Sequence, residues 1–333
     1  MLHTIRLQSG ASFVPRDFPL PAAAGRSVIL RTFEPAGAPL AAIVVPCAMG
    51  VTQSFYSRFA EWLAARGYLA ATFDYRGIGQ SAPATLRGFE IDIRDWATQD
   101  CAAVIDFMKA QAPSVPLYWV GHSLGGQLLG LIPNRERIDR AITIATGNGY
   151  WLENSWQTRR FVWWLWFAVV PLALRIAGYF PGKRLRKVGD LPRGVMAQWR
   201  RWCLNREYVV GVEGESVRRS YASVRTPMLS LSFTDDEMMS EQGIRSLHGL
   251  YTSAPIEYRR IAPRDVGAQR IGHFGFFRPQ FEQTLWPMVP QWLAALRMNE
   301  NRGDKKITCA MSPPRTSASE MAQGDGQPPS SAS

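Results

Sequence analysis

Val120-Gly121-His122-Ser123-Leu124-Gly125-Gly126 is the stretch whose reading decides the fold. It follows the apolar run Leu117-Tyr118-Trp119-Val120 and leads into Gln127-Leu128-Leu129-Gly130-Leu131, which can continue as a helix. The serine therefore stands between a strand and a helix with glycine on both sides, which fits the G-x-S-x-G elbow pattern. A sharp turn there pushes the hydroxyl off the end of the strand, and small neighbours let strand and helix pass closely. The backbone N–H of Leu124, at the helix start, then points at the space a substrate oxygen would occupy. The bland alternative is a Gly-rich β–α turn with a chance serine, and the rest of the chain must choose.

Outward from the elbow the chain alternates. Residues 3–8 and 28–34 read as strands with a Pro/Ala/Gly turn region between them. Ala41 to Val45 is a continuous apolar run, the pattern of a strand covered on both faces. After the loop Pro46-Cys47-Ala48-Met49-Gly50, apolar Phe55, Phe59, Trp62 and Leu63 mark a helix that Gly67 stops. A strand at 68–75, a long helix at about 90–111, the strand into Ser123 and a strand at 141–145 continue the rhythm. It breaks at Thr146 and resumes with a strand at 227–233, a helix at 237–252, a strand at 256–261 and a helix at about 279–297. This β-α-β alternation predicts an α/β fold, a doubly wound and mostly parallel sheet with an inserted helical cap. The domains expected are core at 1–145, cap at 146–225, core again at 226–297 and a disordered Ser/Pro/Gly-rich tail at 298–333.

An elbow serine needs a base, usually histidine, and the chain has four. His3 lies at the extreme N-terminus. His122 adjoins Ser123, and adjacent strand residues point to opposite faces. His248 falls inside a predicted helix and reads as a surface or packing residue. His273, in Ile271-Gly272-His273-Phe274-Gly275, sits in a loop after the last strand, where it can overhang the carboxyl ends of the strands. The imidazole in turn needs a carboxylate. Asp235 and Asp236 directly follow the strand ending at Phe233. Asp236 is favoured, with Asp235 as the alternative acid and otherwise a helix cap. The order Ser123, Asp236, His273 is that of the fold in which such elbows occur. Leu124 supplies one oxyanion donor, and Met49, in the loop after the 41–45 strand, is the candidate for the second. Cys47, in the same loop, reads as a packed thiol. No cofactor or metal is expected: Gly77-Ile78-Gly79 is not a dinucleotide loop, and Cys47, Cys101, Cys203 and Cys309 show no zinc spacing. Scattered cysteines and the absence of an apolar leader point to a cytoplasmic protein with reduced thiols.

With Gly121 to Gly126, Asp74-Tyr75-Arg76-Gly77-Ile78-Gly79-Gln80-Ser81, Asp236 and Gly272-His273 in this order, the chain resembles the α/β-hydrolase superfamily over about 28–145 and 225–297. Met49 to Tyr56 and Ser232 to Asp236 carry a narrower likeness, to predicted bacterial α/β-hydrolases near the serine aminopeptidase and monoacylglycerol lipase-like branch. The resemblance implies an esterase, lipase or related acyl hydrolase. Cys47-Ala48 departs from the His-Gly that many members carry after the third strand, which bears on the second oxyanion donor.

The formal charge of +11 is concentrated. Residues 146–225 hold fourteen Lys/Arg against five Asp/Glu, and seven of the twelve tryptophans. Phe161 to Leu174 carries no charge for fourteen residues, flanked by Arg159-Arg160 and by Lys183-Arg184-Leu185-Arg186-Lys187. That run is short for a spanning helix, and Pro171 should break it. The expectation is a cap helix packed on the core with solvated basic ends; the sharper alternative is a lid resting on an anionic membrane. No recognition motif accompanies the charge, so nucleic acid is not the expected partner. The function expected is hydrolysis of a small-molecule or lipid-like carboxylic ester through an acyl-serine. The alternatives are acyl transfer with the same residues, or a non-catalytic hydrolase-like binding module.

Overall fold

The computed structural model describes residues 15–22, 26–185 and 188–301. The sheet and the inserted helices belong to one compact unit that closes at Leu293. Eight strands make one sheet: β1 Arg16–Ala22, β2 Arg26–Phe33, β3 Ala41–Pro46, β4 Tyr68–Asp74, β5 Leu117–His122, β6 Arg140–Ile144, β7 Met228–Phe233 and β8 Ile256–Ile261. Their order is β1-β2-β4-β3-β5-β6-β7-β8. The β1–β2 and β2–β4 pairs are antiparallel, and every pair from β4–β3 onward is parallel. Every residue of β3, β4, β5, β6 and β7 is buried, which explains why these strands read as apolar runs without alternation. The core helices are α1 Ser57–Ala64, α2 Ala102–Gln111 and α3 Leu124–Gln127, followed after the insertion by α9 Glu241–His248 and α10 Met288–Asn301.

The structure departs from the sequence expectations at several boundaries. The strand expected at 3–8 lies outside the described residues. The stretch expected as turn holds β1, whose Pro19 and Pro21 argued against a strand. Both prolines are tolerated because β1 is an edge strand, where a missing N–H leaves no ladder bond unmade. The helix expected at 90–111 begins in a short turn, Ile93–Asp95, closed by a reciprocal Asp92–Asp95 capping box, then passes through a π-helical stretch, Trp96–Cys101, before α2. α9 starts only at Glu241, capped by the Ser240 side chain. A 3₁₀ turn, Pro279–Phe281, occupies the expected start of the last helix, which runs from Met288 to Asn301. The tail from 302 lies outside the described residues.

Between β6 and β7 stand α4 Trp156–Trp164, a π-helical turn Leu165–Val169, α5 Val170–Ile176, α6 Arg193–Leu204, α7 Tyr208–Glu213 and α8 Glu215–Ala222. Pro171 does not break the helix as expected. In the π turn the Val170 N–H bonds the Leu165 carbonyl, so the next acceptor in register is Trp166. Pro171 has no N–H to offer it. The Arg200 guanidinium of α6 serves that carbonyl instead, at 2.5 Å. Helical backbone therefore continues from Trp156 to Ile176. Among the described residues, no helix is long and apolar enough to cross a membrane.

His248, a packing residue, ties α9 to the sheet. Its Nδ1–H donates to the Ile244 carbonyl at 2.7 Å, and Nε2 accepts from Thr143 Oγ1 of β6 at 2.8 Å. Burial pushes its pKa down to about 4. The unfolded chain protonates this imidazole near its ordinary value while the folded chain resists, so this contribution to stability is lost as pH falls from about 6.5 towards 4. The difference amounts to about 3 kcal/mol. Urea unfolding of wild type and His248→Gln should therefore show wild type losing about that much more stability than the variant between neutral pH and pH 4. Parallel profiles would contradict this account of His248.

Candidate active site

Ser123 is the first residue after β5, and it sits at φ 50° and ψ −114°. Positive φ is rare for a residue with a side chain: it costs about 1–3 kcal/mol and persists only where its surroundings enforce it. Here they do. The Ser123 N–H donates to the Ile144 carbonyl of β6 at 2.9 Å, and its own carbonyl accepts from Thr146 Oγ1 at 3.2 Å and the Gly126 N–H at 3.0 Å. The turn is possible only where side chains are missing. A Cβ on Gly121 would come within 2.6 Å of Gly126, and one on Gly125 would overlap the Pro46 carbonyl of β3. The consequence is a serine hydroxyl lifted off the sheet at the carboxyl ends of the strands.

The loop after β8 brings His273 to the same place. His273 Nδ1 lies 2.9 Å and 3.1 Å from the two Asp236 carboxylate oxygens. A carboxylate can only accept, so Nδ1 carries the proton and Nε2 is left as the basic nitrogen. Asp236 Oδ1 also accepts the N–H groups of Met238 and Met239, at 2.7 and 2.8 Å. Asp235 does neither of the things considered for it. It does not face the imidazole, and it does not cap α9. Its Oδ2 accepts the N–H groups of Ile271 and Gly272, at 2.8 and 3.1 Å. Glu237, which sequence reasoning passed over, accepts the His273 N–H at 3.1 Å. Three consecutive acids thus hold three consecutive parts of the histidine loop. Their run at the end of β7 was the available signal.

His122 lies behind this array. Its Nε2 faces the His273 carbonyl at 3.0 Å and must donate to it; its Nδ1 accepts from the Tyr56 hydroxyl at 2.8 Å. Tyr56 in turn accepts the Ala48 N–H at 2.9 Å. One hydrogen-bond chain therefore links the loop after β3, the elbow and the histidine loop. Only a neutral imidazole can both accept and donate in this way. Burial, with the neighbouring His273, holds the His122 pKa well below the ordinary histidine range. Cys47 is packed as expected: its thiol donates to the Phe73 carbonyl at 3.1 Å, and burial raises its pKa well above normal.

Ser123, Leu124, Met49 and His273 line one cavity of about 30 Å³. Its remaining wall includes Met238 and Met239 from the acid loop and Val188 and Trp199 from the insertion. The Leu124 and Met49 N–H groups have no acceptor among the described residues. Ser123 and His273 thus line a small, mostly apolar space beside two uncommitted backbone donors. Such an array can attack a carbonyl carbon and hold the oxygen that becomes anionic. Among the described residues, no group of three or more His, Cys, Asp or Glu is arranged to hold a metal ion.

The profile of the serine aminopeptidase S33 family matches residues 37–186. No curated protein matches the chain. Among solved structures, a thermostable carboxyl esterase from Bacillus coagulans, in complex with glycerol, aligns with a TM-score of 0.60 at 11% identity, covering 85% of this chain and 99% of its own. DcsB in complex with its substrate analogue aligns at 0.59 and 14% identity, covering 86% and 100%. Est1E from Butyrivibrio proteoclasticus, with ferulic acid bound, aligns at 0.55 and 12% identity, covering 84% and 99%. At these identities the likeness is one of fold.

The division of labour among the acids is testable. Asp235→Ala leaves two backbone N–H groups without their acceptor, which should cost about 1–3 kcal/mol. Hydrogen exchange should show faster exchange at the amides of Ile271 and Gly272 in this variant. Unchanged protection there would mean that Asp235 does not hold the loop.

Proposed function

We propose that the chain is an α/β-fold serine hydrolase that cleaves a small carboxylic ester with an apolar acyl group, through an acyl-serine intermediate. Ser123 Oγ attacks the ester carbonyl while His273 Nε2 takes its proton. The carbonyl oxygen becomes anionic and is held by the N–H groups of Leu124 and Met49. When the tetrahedral intermediate collapses, the C–O bond to the alcohol breaks and the His273 proton passes to the leaving oxygen. Water then repeats the sequence: it loses a proton to His273, attacks the acyl carbon and releases the acid with return of the proton to Ser123. Asp236 keeps the imidazole in its Nδ1–H form and stabilises the imidazolium at each step.

The observation that carries this reading is the His273–Asp236 pair at 2.9 Å, opening onto the cavity that also holds the strained Ser123. The apolar acyl group is argued from the wall: Val188, Trp199, Met238, Met239 and Phe274 present hydrocarbon and sulfur to the space in front of Ser123. A cavity of about 30 Å³ accepts little more than one water-sized group. An acyl chain therefore enters only as Val188 and Trp199 of the insertion move aside. A lipid-like ester is the substrate class this wall favours.

Steady-state hydrolysis of p-nitrophenyl esters tests the reading. Ser123→Ala should fall to background. Asp236→Asn, which favours the wrong tautomer of His273, should lower kcat by about 10³–10⁴ with little change in KM. kcat/KM should rise from acetyl to longer acyl chains. Full activity in Ser123→Ala contradicts the mechanism, and a strong preference for acetyl contradicts the apolar acyl group.

A further inference from the structure

Among the described residues, nine of the eleven exposed large hydrophobic side chains lie between Leu152 and Leu185. Trp156, Phe161, Trp163, Trp164 and Phe167 of the α4 segment and π turn are 50–69% exposed. The helical run from Trp156 to Ile176 buries only Val162, Trp166, Val170 and Leu174, one stripe at intervals of four residues. Between Phe161 and Leu174 its other faces are apolar too, yet they meet water. A helix that is apolar all round is normally enclosed by protein, and a contiguous aromatic patch of this kind marks a contact surface.

The charge around the patch is of one sign. Between Glu153 and Asp190 the chain carries seven Lys/Arg and no Asp or Glu. Arg159, Arg160, Arg175, Lys183 and Arg184 are exposed. None of these five pairs with a carboxylate among the described residues. Arg160 lies over the Trp156 and Phe161 rings, with its charge 5.3 and 5.6 Å from their centres. A groove of about 580 Å³ runs between Arg160, Phe161, Trp164 and Leu185. Aromatic rings interleaved with unpaired arginines match the boundary between lipid headgroups and acyl chains. A second copy of the chain would bring the same arginines against one another across a two-fold contact, with no acid to offset them. A nucleic acid would answer the charge but leave the aromatic face wet.

We propose that this face seats the protein on an anionic lipid bilayer, with the rings of Trp163, Trp164 and Phe167 in the headgroup–acyl boundary and the arginines on lipid phosphates. The helix lies in the plane of the interface and does not span it. The placement is suited to a lipid-like substrate. On the far side of the helix Trp166 packs edge-on against Trp199, with ring centres 5.2 Å apart, and Trp199 lines the Ser123 cavity. One pair of indoles therefore separates the lipid-facing surface from the candidate site. The surface does not depend on the acyl-serine reading, and Ser123→Ala protein is expected to bind vesicles as wild type does.

Co-sedimentation with vesicles tests this, using full-length protein with phosphatidylcholine alone and with an equimolar mixture of phosphatidylcholine and phosphatidylglycerol. Wild type should bind the mixed vesicles, weakly or not at all the neutral ones, and less in high salt, with a blue shift of tryptophan emission. The triple variant Trp163→Ser, Trp164→Ser, Phe167→Ser should lose binding at least tenfold. Arg159→Gln with Arg160→Gln should lower binding to the mixed vesicles about fivefold per arginine. All five side chains are exposed, so both variants should keep the wild-type circular dichroism and rate on a soluble short-chain ester. Equal binding to both vesicles, no binding to either, or wild-type binding by the triple variant overturns the proposal. A stable dimer in sedimentation equilibrium without vesicle binding also overturns it and assigns the patch to a second copy.

Discussion

The φ of 50° at Ser123 is the constraint on which the site depends. A relaxed backbone there would carry the strand straight on and leave the hydroxyl against the sheet. The strained turn lifts it to the place where the loops after β3, β7 and β8 converge. Three features of the core enforce it. The parallel β5–β6 register sets His122 beside Ile144, so that the Ser123 N–H meets the Ile144 carbonyl. Thr146 holds the Ser123 carbonyl, and Gly121 and Gly125 leave room for the chain to double back. Fully buried central strands make that register hard to slip, because a slip would move buried side chains to the wrong face. The cost of the strain is thus met by the fold rather than by the site.

Around that turn the polar groups of the site are held from behind. Asp236 orients the imidazole, Asp235 and Glu237 hold its loop, and His122 joins the loop to Tyr56 and Ala48. The middle residue of the elbow pattern is therefore more than a filler between glycine and serine. It is a buried neutral imidazole that accepts on one side and donates on the other. The Ala48 N–H, committed to Tyr56, is unavailable to a substrate oxygen, whereas the Met49 N–H beside it remains uncommitted.

How much of this was legible in the sequence varied with the kind of interaction. The parallel core was readable because strands covered on both faces leave continuous apolar runs, as at Ala41–Val45 and Met228–Phe233. The elbow was readable because its geometry demands glycine at fixed offsets. Elimination among four histidines singled out His273 because an imidazole must sit in a loop to overhang the strands. The edge strand β1 was missed because prolines speak against pairing, and nothing local says that the residue before or after them lies on an edge. The roles of Asp235 and Glu237 were missed because both accept backbone N–H groups 36 or 37 residues away, and a backbone donor leaves no residue-type signature at its end of the bond. The continuity of the helix through Pro171 was missed because it rests on Arg200, which is distant in sequence and supplied by another helix. In the insertion the composition was readable, but which side of the helix meets water was not. Val162, Trp166, Val170 and Leu174 are no more apolar than their neighbours.

The central claim is that fold and loops together make Ser123 the one activated nucleophile of this chain. It is tested most directly by treating the folded protein with a fluorophosphonate and mapping the adduct by mass spectrometry. The account predicts one phosphonyl group per chain, on the peptide carrying Ser123, and none on folded Ser123→Ala protein. Resistance of the folded wild type, an adduct on another residue, or labelling that persists in Ser123→Ala would contradict it.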